Sequence, residues 1–269
     1  MPSTPRLLAF IGIGLVVGFT SGLFGVGGGV LIVPALVILM RFEQKAASGT
    51  SLLAVAPISV AGTIVYAIPG HIDWPVSLFL AIGMVAGGVL GAWLLTRLHT
   101  LVIAWIFIVV LVAIAVRMFF ASPERGTGVE LDWLGVVLLV AVGFVVGALS
   151  GLVGVGGGIV IVPTLVVLFG MSDLLAKGAS LVSLVPNAVS TSILNLRRRN
   201  GDLAAGLAIG LAGAVTTWPG MLLAEFLDPR IASILFGLFL LAIAAQLAVR
   251  TLRLSRGTTT GPGPIERLD

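Results

Sequence analysis

The sequence predicts an all-α polytopic membrane protein built from two homologous halves. Three observations carry that prediction. Apolar residues make up 58% of the chain and charged residues 10%, with a mean hydropathy of +1.20, whereas a soluble domain carries about 25% charge. A soluble core of 269 residues cannot hide that much apolar surface, so the solvent is lipid. Glycine is abundant, at 36 residues, which suits transmembrane helices packed closely through small side chains. Finally, the stretch from Ser21 to Pro34 recurs from Ser150 to Pro163 with three conservative changes.

The repeat sets the register for the whole chain. Its offset is 129 residues (150 − 21), and it holds without a gap: Gly49, Ser51, Leu52 and Pro57 fall on Gly178, Ser180, Leu181 and Pro186. Further on, Asp73 falls on Asp202, Gly91 on Gly220, Leu98 on Leu227 and Phe107 on Phe236. This is an internal duplication. It assigns residues 1–122 to a first membrane repeat, 123–132 to a polar linker, 133–254 to a second repeat and 255–269 to a disordered tail without periodicity.

The run Leu7 to Phe19 after Arg6 has the look of a secretory signal peptide. Its counterpart, Leu134 to Leu149, lies mid-chain, where no signal peptide belongs, so the first run is read as a membrane segment. The first half shows five apolar segments near 7–22, 28–41, 49–69, 74–96 and 101–120; the second has counterparts near 133–151, 157–171, 178–197, 203–226 and 230–250. A crossing takes about 20 apolar residues, so the third to fifth segments of each half suffice. The first two are short and meet at the glycine-rich stretch. Each pair is either one interrupted helix or a hairpin.

Loop charge bears on the choice. With hairpins and a cytoplasmic N-terminus, the inner side carries 11 of the Lys and Arg residues and the outer side 4; single interrupted helices give 10 and 5. The hairpin also gives the halves opposite orientations, the inverted repeat on which many secondary transporters are built, with short broken helices at its centre. It makes 123–132 extracytoplasmic and puts Arg197, Arg198, Arg199 and both termini in the cytoplasm. The expected location is the inner (plasma) membrane. The triple arginine reads as a topology anchor rather than an anion funnel.

The glycine-rich stretches are the candidate site. Gly25, Gly27, Gly28 and Gly29, matched by Gly154, Gly156, Gly157 and Gly158, each precede an apolar run that reads as a helix. Glycine backbone adopts left-handed conformations and admits close approach, and the N–H groups of the following helix favour an anion. The alternative is that the glycines serve helix packing only. Paired broken elements in the two halves weigh toward a transport site. Nucleotide sites fail on spacing: there is no Gly-x-x-x-x-Gly-Lys-Ser/Thr, and no acidic residue about 20 positions on in a βαβ setting.

Ser21, Ser150, Ser51 and Ser180 are the hydroxyls expected to add hydrogen bonds to a bound anion, with Asn187 beside Pro186 as a further candidate. An amide in lipid needs a partner, and the proline frees a backbone carbonyl. Most other hydroxyls are expected to bond the carbonyl one turn back, and Asp73 and Asp202 to cap helices. Enzyme chemistry has little support. His71 and His99 are the only histidines and sit apart, and there is no His-Glu-x-x-His, nucleophile turn or intramembrane carboxylate pair. Without cysteine there is no thiolate metal site. No cofactor and no metal is expected. The sequence pI near 10.6 does not signal nucleic acid, because the basic residues lie between apolar runs rather than on one face.

In the doubled Gly-x-x-Ser-Gly-x-x-Gly-x-Gly-Gly-Gly-x-x-x-Val-Pro, with Gly49-Thr50-Ser51-Leu52 and Ala179-Ser180-Leu181, the chain resembles the TauE/SafE sulfite exporter family over its whole length. The resemblance implies a prokaryotic permease moving small sulfur-containing anions or organic sulfonates, often outward. No motif residue is a fixed positive charge, which fits an anion held by backbone N–H groups and hydroxyls. The expected partners are that anion and the lipid bilayer, with further copies of the chain an open alternative and nucleic acid excluded. A non-transporting membrane partner or assembly subunit is the competing reading.

Overall fold

The computed structural model describes residues 4–94, 100–120, 131–153, 156–197 and 200–257. Every regular element among them is a helix. The first half holds α1 (Thr4–Phe24), α2 (Gly29–Met40), α3 (Gln44–Ala67), α4 (Trp74–Leu94) and α5 (Thr100–Phe120). The second holds α6 (Trp133–Val153), α7 (Gly158–Phe169), α8 (Asp173–Arg197), α9 (Leu203–Phe226) and α10 (Pro229–Gly257). Each helix of the second half begins 129 residues after its counterpart. Even the caps repeat: Arg41 and Gly170 close α2 and α7 in the left-handed conformation, their N–H groups on the carbonyls of Leu36 and Leu165.

Six helices are long and apolar enough to cross a membrane, counting only described residues: α1, α3, α6, α8, α9 and α10. This corrects one expectation. The first segment of each half is not short, because α1 and α6 run 21 residues each, or about 31 Å at 1.5 Å per residue, enough for the roughly 30 Å hydrocarbon layer. Of the first two segments in each half, it is α2 and α7, at 12 residues, that fall short. A second correction concerns α8, which starts at Asp173 and not at 178, so Asp173 and Lys177 belong to a helix and not to a loop. Large apolar side chains such as Leu8, Ile38, Ile68, Phe120, Val215 and Phe226 stand exposed, which lipid accepts and water does not.

Packing register gives the helix directions. Along α1 and α9, Gly14 meets Ile209, Gly18 meets Gly213 and Gly22 meets Thr217. The numbers rise together, so the two run the same way. Likewise α3 follows α9, with Gly49 at Asn200, Leu53 at Gly206 and Pro57 at Gly210. Exchanging the halves reproduces these contacts: Gly143 meets Leu80 and Gly147 meets Met84, which sets α6 along α4. Ile72 at Gly178 and Gly88 at Asn187 set α8 along α4 too. In contrast, α3 and α8 cross in opposite senses, since Val55 and Leu184 share the surroundings of Gly27 while Gly62 meets Leu181. Helices α1, α3 and α9 therefore point one way, and α4, α6 and α8 the other.

Bare glycine surfaces allow this intimacy: a Cβ on Gly14, Gly18 or Gly22 would collide with α9 backbone, and without it the helices gain close dispersion contact. Helix α2 turns back along α1, because Gly28 lies beside Val17 and the Phe42 ring meets Phe10 edge-on at 6.3 Å. The pair α1–α2 is thus a hairpin. The aspartates cap as expected: Asp202 Oδ1 accepts from the Ala205 N–H at 3.0 Å, and Asp73 Oδ1 from Val76 at 3.2 Å. The expected linker lies outside the described residues except for Leu131 and Asp132, and Asp132 accepts from the Gly135 N–H at 2.7 Å. Helix α10 continues through the first three residues of the expected tail; the remainder, like Arg198, Arg199 and His99, lies outside the described residues.

Candidate functional site

The two glycine-rich breaks meet at the centre of the bundle. Gly28 and Gly157 are the N-caps of α2 and α7, with φ of 80° and 79°, and no side chain caps either terminus. Gly25, Gly27 and Gly156 also have positive φ, of 70°, 73° and 87°. An L side chain costs roughly 1–2 kcal/mol in that region, so the local sequence can only be glycine-rich if the chain is to turn here. The first intrahelical bonds run from Leu31 and Ile32 to the Gly28 carbonyl, and from Val160 and Ile161 to that of Gly157. The N–H groups before them, on Gly29 and Val30 and on Gly158 and Ile159, are the orphan donors of each terminus.

Contact between the breaks is direct. A Cβ on Gly158 would stand 2.6 Å from the Val26 carbonyl oxygen, and Gly27 and Gly156 both abut Val55 and Leu184. Because 55 + 129 is 184 and 27 + 129 is 156, this quartet marks the pseudo-two-fold centre. Two helix N-termini, each with partial positive charge, thus converge on a point flanked by aliphatic side chains.

Several hydroxyls and amides gather there. Ser180 Oγ, on α8, donates to the Gly25 carbonyl at 2.8 Å, tying the first break to the second half. Asn187 Nδ2 reaches Ser150 Oγ at 3.4 Å. That replaces the expected partner, the carbonyl freed by Pro186, because the amide points across to α6 rather than back along its own helix. Ser21 Oγ and Asn187 Oδ1 are buried with no partner among the described residues. Ser51 is fully buried on α3, one turn before Val55. Gly29 and Gly158 open their helices, while Gly154 lies outside the described residues. Thr191 and Ser190 bond carbonyls on their own helix, as expected for hydroxyls in lipid.

The sequence reading missed two features. Ser59 Oγ is buried without a partner among the described residues and lies 3.5 Å from where a Gly27 Cβ would be. Its position 59 pairs with Ala188 in the repeat, so no doubled motif points to it. The second is an ion pair: Lys177 Nζ donates to Asp173 Oδ2 at 2.6 Å, the side chains 3% and 10% exposed. Ser172-Asp173 with Lys177 four residues on is a helix-start signature with an i,i+4 pair, and that signal was available. Among the described residues no cluster of His, Cys, Asp and Glu could hold a metal.

What this arrangement offers is a buried, glycine-lined meeting of two helix N-termini with spare hydroxyls, and the carboxylate named beside it, Asp173, is held by Lys177. It suits a small anion better than a cation. The family profile for sulfite exporter TauE/SafE matches residues 1–125 and 138–267. A probable membrane transporter protein of Xylella fastidiosa (strain 9a5c) is 28% identical over 257 residues, covering 91% of this chain and 96% of that protein. YunE of Bacillus subtilis (strain 168), also named a probable membrane transporter protein, is 39% identical over 121 residues, 44% of each chain. MJ0441 of Methanocaldococcus jannaschii, with the same description, is 35% identical over 117 residues, 41% of this chain and 44% of its own. With a repeat-built helical bundle and a profile match across both halves, the chain belongs to the sulfite exporter TauE/SafE family of membrane transport proteins.

Proposed function

We propose that the protein is a secondary transporter of small sulfur-containing anions, sulfite or an organic sulfonate, working outward across the inner membrane. The carrying observation is the convergence of two helix N-termini without a side-chain cap at the pseudo-two-fold centre, beside the buried Ser21 and Ser59 hydroxyls and Asn187 Oδ1, which have no hydrogen-bond partner among the described residues. Each terminus supplies partial positive charge and N–H donors that offset the anion's lost hydration, without the cost of an isolated buried cation. The substrate then lies between Ser21–Gly29 and Ser150–Gly158, with Ser51 and Ser180 on the helices behind. Oppositely directed halves make such a site reachable from either face by rocking one repeat on the other.

Proteoliposomes holding only this protein test the reading. Sulfite, sulfoacetate, taurine and thiosulfate are offered one at a time, and uptake of at least one above protein-free vesicles is expected. No uptake of any of them would favour the packing subunit. One observation leans that way: side chains at Gly28 and Gly157 would run into Val17 and Val146, so these two glycines serve fold as well as site.

The same reading places repeats 1–122 and 133–254 as an inverted pair, with linker 123–132 outside and both termini cytoplasmic. The arginine-rich end then faces the cytoplasm, as the charge rule requires. A cysteine placed at Gly128 should be labelled by an impermeant reagent from outside only. Labelling from the cytoplasmic face alone would refute the arrangement.

A further inference from the structure

Lys177 is a charged side chain seated directly on a glycine-rich break. A Cβ on Gly25 would stand 2.7 Å from Lys177 Cα and Cβ and 3.0 Å from Cγ, so the aliphatic stem lies across the glycine. One turn further along α8, Ser180 holds the Gly25 carbonyl. The ammonium itself points to the N-terminus of α8 and is held by Asp173. In the first repeat the corresponding positions are Gln44 and Ser48, so the pair exists at one end of the bundle only.

This pair is poorly explained as a source of stability. Taking two charges out of water costs about what their attraction returns, and an apolar pair of similar volume serves a buried helix end as well or better. The helix dipole favours Asp173 in the first turn but opposes Lys177 close behind it. A lysine is also the cation best able to change partner, being a compact charge on a flexible four-carbon stem.

We infer that Lys177 receives the anion at this end of the protein. Before the anion arrives, Asp173 holds the ammonium. An oxyanion entering from the Asp173 end displaces the carboxylate, and the stem across Gly25 carries it to the break. The opposite mouth has no such cation at the corresponding positions, so the two faces recognise the same anion with different apparent affinity. This rests on the proposed anion transport and adds to it a residue, a side and a competitor.

Sulfite transport in right-side-out and inside-out vesicles tests it, with the parent, Lys177→Gln, Asp173→Asn and the double variant. Lys177→Gln should raise the half-saturation concentration about tenfold or more at the mouth bearing Asp173, the weight of one charge-assisted hydrogen bond, and change it by less than about twofold at the other. Asp173→Asn, which removes the competitor, should leave the affinity at that mouth equal or improved. The double variant should match Lys177→Gln. If the pair is only a structural tie, Asp173→Asn and Lys177→Gln suffer alike, and that outcome overturns the inference, as does an equal effect at both faces. Should Lys177→Gln fail to insert, Lys177→Met fills the same buried volume and gives the measurement. A parent that carries sulfite with Lys177→Gln unchanged sinks this inference alone; a parent that carries no anion sinks the proposed transport and this with it.

Discussion

Replacing Gly158 with alanine should lower transport by at least about tenfold and reduce the melting temperature in detergent, although alanine is the better helix former. On propensity alone the change would stabilise α7 by up to about 1 kcal/mol, and Gly158 is not among the positive-φ glycines, so no backbone strain is added. The methyl would nevertheless stand 2.6 Å from the Val26 carbonyl oxygen, 2.8 Å from its carbon and 2.9 Å from its Cα. These are backbone atoms and cannot rotate away. The two breaks must separate by several tenths of an ångström, and overpacking of this kind typically costs about 1–3 kcal/mol. Because the breaks supply the two N-termini, the same displacement pulls apart the donors that would face the anion. Alanine at Gly12, where a Cβ meets nothing within 4 Å, is the control and should behave as the parent. Parent-like melting and transport in Gly158→Ala would mean that the breaks do not touch.

The second large effect is expected at Asn187. Asn187→Asp preserves shape and swaps a neutral amide for a carboxylate at a site fully buried on α8. Among the described residues its amide donates to Ser150 Oγ at 3.4 Å, and Asn187 Oδ1 has no partner. An ionised carboxylate there is both poorly solvated and of the same sign as the proposed substrate. Anion uptake should fall by about a hundredfold or more, since like charges at close range in a low-dielectric interior repel by several kcal/mol. Asn187→Ser, which keeps a small neutral donor, should lose far less. If both variants insert and the carboxylate leaves uptake unchanged, the anion does not pass near Asn187.

Much of this protein was legible before its structure. Composition set the solvent, and the gapless 129-residue repeat set the number and order of the helices, because lipid leaves only helices as a way to pair every backbone group of such apolar segments. The glycine-rich stretch announced a break twice over, since three positive φ values within four residues can be met at little cost by no other side chain. The caps at Asp73 and Asp202 were equally local and equally readable.

Tertiary structure decided what depends on distance across the bundle. That Gly158 touches Val26, that Ser180 holds Gly25, and that Asn187 reaches Ser150 rather than a freed carbonyl are contacts between segments 37 to 155 residues apart. No local pattern encodes them. The directions of α3 and α8, and with them the way the halves interlock, came from which residues the glycines face. Lys177 shows the boundary between the two kinds of knowledge. Its pairing with Asp173 is an i,i+4 matter that the sequence holds, but its burial against Gly25 depends on the other half of the chain. Whether a charge is solvated or buried is set by what packs over it, and here that is supplied by a glycine 152 positions away.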